Sequence, residues 1–342
     1  MTFFNVLWFF LIFVLILGYF VTDGFDLGAG VLSPFIAKDE REKAMIRAAT
    51  GPVWDGNEVW LLTAGGALFA AFPFAYATTF SGFYLAVMLV LFGLIMRAVS
   101  IEYAGRDRDW AGLWNLLFFI GSLLPALLLG VAVGCIFEGI PMDVDGNYSG
   151  IPLFGLLSPF TLCCGVFGLV LMLLQGAGWL VLKIPENEAL YSRADGLRKP
   201  LIIAALVVFI VLSLMVSGRI LEMDPTLSIV RYLVAILFCV CLVAAAYFAS
   251  KGSGSDLKAF LCTSGALALA VVLLACSMFP NLVVASANSA GPTLTLMNAC
   301  ATDTSLFYMT IIAGIGVPLV LVYQVIIYRT FRGKIRESDL EY

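Results

Sequence analysis

The chain has 342 residues, 62% hydrophobic and 12% charged, with a formal net charge of −4 and no histidine. A soluble domain carries about a quarter charged residues, so this composition excludes that class. No basic run offers a footprint for nucleic acid. Without imidazole, the commonest protein ligand for redox metals, the chain is poor material for a metal centre of its own, and a di-metal carboxylate site of the Glu-x-x-His kind is excluded.

Apolar runs of about 20 residues, enough to span a bilayer, fall at 3–22, 54–76, 81–99, 113–137, 157–182, 201–221, 229–250, 260–279 and 305–328. The first lacks a basic leader and a small-residue cleavage site, so it reads as an anchor. Segment 38–50 reads as a short amphipathic helix on the membrane surface. Basic residues follow every second run: Lys38, Arg41, Lys43 and Arg47; Arg97, Arg106 and Arg108; Lys183, Arg193, Arg198 and Lys199; Lys251 and Lys258; Arg329, Arg332, Lys334 and Arg336. Only Arg219 and Arg231 break the alternation. The positive-inside rule then places the N-terminus outside and the C-terminus in the cytoplasm. The expectation is an all-α polytopic membrane protein, nine transmembrane helices forming one membrane domain over 1–342.

The connection at 138–154 is acidic (Glu138, Asp143, Asp145), as an outer loop should be. The charge-poor connection at 279–304 suits either a plug across the outer bundle end or a mobile loop. Small residues at Ala64–Ala67, Ala70, Ala71, Gly130 and Gly134 offer close helix contacts. The eight cysteines include no CxxC pair and mostly sit in apolar runs as small hydrophobes. A Cys135–Cys300 disulfide requires both to lie at the outer face. Trp54, Trp60, Trp110, Trp114 and Trp179 fall near span ends, as an aromatic belt or as flanks of a lipid-soluble ligand. Gln175, inside the fifth run, is placed to bridge helices.

The polar residues that stand out are acids at the edges of the first two runs. Asp23 and Asp26 end the first; Asp55 and Glu58 begin the second. Spacing of three puts each pair on one helical face, and the topology brings both to the cytoplasmic end. Ionisable groups at membrane depth are costly and mark functional sites. Four neighbouring acids repel, which favours holding a proton, the property a proton-uptake route needs. The alternative is that Asp23 and Asp55 are helix-end groups in headgroup water. Arg97 either pairs with these acids or snorkels to the interface.

These residues carry a resemblance. Gly18-Tyr19-Phe20-Val21-Thr22-Asp23-Gly24-Phe25-Asp26-Leu27-Gly28-Ala29-Gly30, the stretch Trp54-Asp55-Gly56-Asn57-Glu58-Val59-Trp60 through Pro73, Phe80–Ala86 and Arg97 resemble subunit II of the cytochrome bd-type quinol oxidases. Weaker echoes are Gly139-Ile140-Pro141, Gln175-Gly176-Ala177 and Leu294-Thr295-Leu296. The resemblance implies two four-helix bundles plus a peripheral helix, in a bacterial or archaeal cytoplasmic membrane, beside a haem-bearing subunit I. It further implies a complex that oxidises quinol and reduces O2 to water. Haem b and haem d would belong to subunit I, so this chain has no catalytic residue of its own. Some members carry a structural quinone in subunit II, and small accessory subunits accompany some complexes. By motif, Asp55 and one or both of Asp23 and Asp26 fall on the proton route, with Trp54, Asn57 and Arg97 in support; Glu58, where related sequences have Gln or another residue, is either an extra protonatable group or a tolerated substitution. A stand-alone proton-coupled transporter and a chemically inert scaffold are the competing readings; a transporter would favour inverted halves, which the sequence does not display.

Overall fold

The computed structural model describes residues 1–107, 109–222 and 227–341; Arg108, one of the basic residues above, lies outside them. α1 runs Phe3–Ile36 without a break, capped by the Thr2 side chain. Its 34 residues make about 51 Å of helix. The expected end at Thr22 is therefore corrected: Asp23 and Asp26 sit inside the helix, not at its end. The second half of α1 is buried from Asp23 to Ser33, so its polar groups meet protein rather than headgroup water.

α2 (Glu40–Thr50) is the expected short helix, capped by Asp39, whose carboxylate accepts from the Glu42 amide at 2.8 Å. α3 (Trp54–Ala71) stops where the backbone turns at Phe72, and α4 (Pro73–Gly82) restarts on Pro73. The expected single run at 54–76 is thus two helices. There follow α5 (Tyr84–Tyr103), α6 (Ala111–Glu138), α7 (Pro159–Lys183), α8 (Ala189–Glu222), α9 (Ser228–Ala249), α10 (Asp256–Met278) and α11 (Asp303–Thr330). α8 begins well before the expected residue 201, so Arg193, Arg198 and Lys199 lie on helix and not in a loop. Among the described residues, eight helices are long and apolar enough to cross a membrane; α3, with its polar first turns, is the one missing from the expected nine.

α1 packs against α3 and α6, and α6 against α5; α7, α8, α9 and α10 form a second set, with α7 also on α10. α1 and α7 join the two sets. That seam depends on absent side chains: a Cβ on Gly28 would lie 1.8 Å from the Met172 carbonyl oxygen, and one on Gly176 2.4 Å from the Ala29 nitrogen. Gly130 and Gly134 let α6 approach α7 in the same way, at Cys164. The small-residue face of α3 packs only in part: Ala64 and Ala71 are buried, whereas Gly66 faces open space.

The connections gather at opposite ends. At one end, the segment after α10 packs as a plug. β1 (Asn281–Val283) pairs with β2 (Leu294–Thr295), the Ile140 amide donates to the Val284 carbonyl, and Leu296 and Ala299 are wholly buried beneath. Asn5 donates to the Leu296 carbonyl and Thr2 to Asp303, fixing the chain's start at this end. The Ala301 amide donates to the carbonyl of Ala71, so the end of α3 is here too. Gly139 turns with φ +111° where a side chain would crowd Ala285.

At the other end the C-terminal segment tucks under α2 and α7. The Ile335 amide donates to the Lys183 carbonyl, and Lys334 reaches the Val181 and Ile184 carbonyls. Arg41 bridges Glu188 and Glu337. All eight cysteines are free thiols, including Cys135 and Cys300.

Candidate functional site

α1, α3 and α5 meet around the acids. Arg97, wholly buried on α5, donates from one nitrogen to Asp23 of α1 at 2.7 Å and to Glu58 of α3 at 2.6 Å. Of the two readings of Arg97, the structure has the paired one. The reason is depth: its side chain reaches no solvent, so a carboxylate is the partner that offsets desolvation. Glu58 lies one turn after Asp55, and its side chain is 21% exposed, whereas that of Asp23 is 0% exposed.

The second acid of α1 has a different partner. Asn57, buried on α3, donates to Asp26 at 2.7 Å and to the Thr22 carbonyl at 3.3 Å. Tyr328 of α11 donates to the Asn57 side-chain oxygen at 2.8 Å, and Gln324 to the Gly56 carbonyl at 2.8 Å. Asp26 Oδ1 and Arg97 Nε and Nη1 are buried without a partner among the described residues. Buried polar atoms are ordinarily bonded to protein or water, so this pocket retains hydrogen-bonding capacity.

Asp23, Glu58 and Arg97 thus form one cluster, with Asp26 and Asn57 beside it. Asp55 stands apart, exposed in the first turn of α3. Trp54 is half-buried against the cluster of Phe25, Ile46 and Ile101. The sequence reading missed Tyr328 and Gln324. Gln324 carried a signal, a lone amide in an apolar run; Tyr328 carried none, because tyrosine is ordinary at a span end.

Two tryptophans assigned to the interfacial belt are instead core residues. Trp60 packs over Gly18, and Trp179 stacks on Phe25 at 4.2 Å and donates to the Ala49 carbonyl at 2.9 Å. Neighbouring helices cover both rings; the Trp179 indole N–H has its acceptor, whereas that of Trp60 is buried without one among the described residues. Gln175 does bridge helices, donating to Ser264 of α10 at 2.9 Å and accepting from Thr263.

The donor set does not suit a haem or another redox metal. The chain has no histidine, and the described residues include no cluster of three Cys, Asp or Glu placed to hold an ion. Its chemistry is that of neighbouring carboxyl groups around one guanidinium, groups that exchange protons readily.

Comparison with known proteins agrees with this architecture. The family model for cytochrome bd terminal oxidase subunit II matches residues 4–331. The chain is 32% identical to cytochrome bd-I ubiquinol oxidase subunit 2 of Escherichia coli, covering 98% of this chain and 96% of that protein. It is 34% identical to cytochrome bd ubiquinol oxidase subunit 2 of Bacillus subtilis, covering 97% of each. The fold is similar to a chain of the bd oxidase structure from Geobacillus thermodenitrificans, with a TM-score of 0.76, 16% identity, and coverage of 96% of this chain and 99% of that one. The chain belongs to the cytochrome bd terminal oxidase subunit II family.

Proposed function

We propose that this chain is the haem-free subunit of a bd-type terminal oxidase that couples quinol oxidation to the four-electron reduction of O2 to water. Its partner is a haem-bearing subunit I, which holds haem b and haem d; this chain walls that subunit and supplies part of the proton route from the cytoplasm. α3 is the ninth crossing: its first turn follows α2, and its last residue meets the plug at the far end. The α2 end, rich in Lys and Arg, faces the cytoplasm, and the plug end faces outward. All the named relatives are bacterial, which supports the bacterial cytoplasmic membrane as its location.

The observation that carries the reading is the gradation of the acids. Asp55 is exposed, Glu58 is partly exposed, and Asp23 and Asp26 are buried. In this mechanism Asp55 meets bulk water at the entry. Glu58 takes up a proton, and Arg97, bonded to both carboxylates, holds Glu58 and Asp23 within transfer distance. Asn57 keeps Asp26 oriented beside the Asp23–Arg97–Glu58 cluster. Moving protons inward from one side, for O2 reduced with electrons from the other, makes the reaction electrogenic.

The test is Glu58→Gln and Asp55→Asn in the assembled complex at full haem content. Glu58→Gln keeps an acceptor for Arg97 but carries no proton. The expected result is O2 reduction slowed about tenfold, roughly 1.4 kcal/mol of barrier, with a smaller loss for Asp55→Asn, where water substitutes. Unchanged turnover and proton uptake in both variants would reject the role.

A further inference from the structure

Outside the acid network, α9 and Phe209 of α8 form an apolar groove of about 700 Å³. Its floor and walls include Phe209, Tyr232, Ile236, Cys239, Val243 and Tyr247, a stripe at helical spacing along nearly the whole of α9. Ile236, Val243 and Tyr247 are more than half exposed. From Tyr247 to Ile236 the helix rises about 16 Å, close to the thickness of one leaflet, which is half of a hydrocarbon core of about 30 Å.

One end of this groove is cationic. Lys251 folds back so that its ammonium lies 4.4 Å from the centre of the Tyr247 ring, at the groove's mouth. Lys258 lies over Phe248, 5.8 Å from its centre. Lys199 is exposed on α8 at the same level, because its neighbour Arg198 shares a small cavity with Ala249 at the end of α9. None of these three ammonium groups is within 4 Å of a carboxylate among the described residues: Asp256 is taken by Arg198, as is Asp195. Apolar lining that ends in lysines with no carboxylate beside them is the chemistry that receives a lipid chain and its phosphate.

We propose that this groove holds one acyl chain of an anionic phospholipid, its headgroup bound by Lys199, Lys251 and Lys258. The site is independent of the acids and of the proton route. The purified complex, equilibrated in mixed micelles with equal amounts of palmitoyl-oleoyl phosphatidylglycerol and phosphatidylcholine, tests it by native mass spectrometry. The expected spectrum shows one retained phosphatidylglycerol, its occupancy falling about fivefold for each lysine changed to Gln. Ala244→Trp, which fills the groove and leaves the lysines in place, loses the same mass; the intact-complex peak reports assembly in the same spectrum. Equal retention of the two lipids overturns the proposal, as does retention unaffected by either set of variants. A quinone or a polypeptide mass displaced by Ala244→Trp overturns it too.

Discussion

Arg97→Gln is the most direct probe of the buried network. It removes a guanidinium that is wholly buried and leaves Asp23, equally buried, without its 2.7 Å partner, and Glu58 without its 2.6 Å partner. Removing one member of a buried ion pair costs about 3–5 kcal/mol, because an uncompensated charge remains. At about 2–4 °C per kcal/mol, this predicts a drop of roughly 10 °C in the thermal midpoint of the purified complex. Glu58→Gln costs far less, about 1 kcal/mol, because the amide oxygen still accepts from Arg97 and part of the side chain reaches water. Asp23→Asn falls between them, since Arg97 keeps Glu58. Tryptophan fluorescence at one scan rate measures all three. A midpoint for Arg97→Gln no lower than that of Glu58→Gln would refute the pairing and, with it, the role of Arg97 as the link between α1, α3 and α5.

Other outcomes follow from the packing and the ends. Gly28→Val or Gly176→Val forces apart α1 and α7 and should abolish assembled complex on a native gel, whereas Gly196→Ala, a helical site with nothing within 4 Å, should be neutral or stabilising by about 1 kcal/mol. Trp179→Phe keeps most of the stack on Phe25 but strands the Ala49 carbonyl, a loss of about 1–3 kcal/mol; Trp179→Ala loses the packing as well, about 3–5 kcal/mol, and the two thermal midpoints separate accordingly. The carboxyls of Glu188 and Glu337 are held below the usual range by hydrogen bonds from Arg41. Their contribution is therefore present above the unfolded value of about 4.3 and lost as pH falls through the lowered folded values. Hydrogen exchange at 334–339 should accelerate below that pH and in high salt, and unchanged exchange rates in both conditions count against the clasp. Alkylation of the denatured chain without reductant should label every cysteine, with no protected Cys135–Cys300 pair.

The sequence made legible the membrane class, the run boundaries of α5 to α7 and of α9 to α11, and the meeting of Asp23, Asp26 and Glu58 but not of Asp55, since long apolar periods and charge alternation survive any tertiary detail. It misled at Asp23. Acids and a glycine after an apolar run look like a helix end, and only Arg97 and Asn57, contributed from other helices, make it possible for α1 to continue. The early start of α8 was hidden similarly, because Arg198 reads as loop until Asp256 appears opposite it at 2.9 Å. Trp60 and Trp179 look interfacial by position alone; burial depends on neighbours that no local pattern encodes. The groove on α9 was invisible, since in a membrane protein its stripe is indistinguishable from any lipid-facing one.

α1 carries both the acid pair and the glycine seam. Asp23 and Gly28 are five residues apart on one unbroken helix, about 7.5 Å along its axis. The helix is a rigid rod at this scale, with no joint between the place where the halves of the molecule bear on each other and the place where carboxylate meets guanidinium. Any rocking of one half against the other is therefore delivered to the Arg97 contacts as a displacement of comparable size, and the proposed proton route and the posture of the two halves share a single lever.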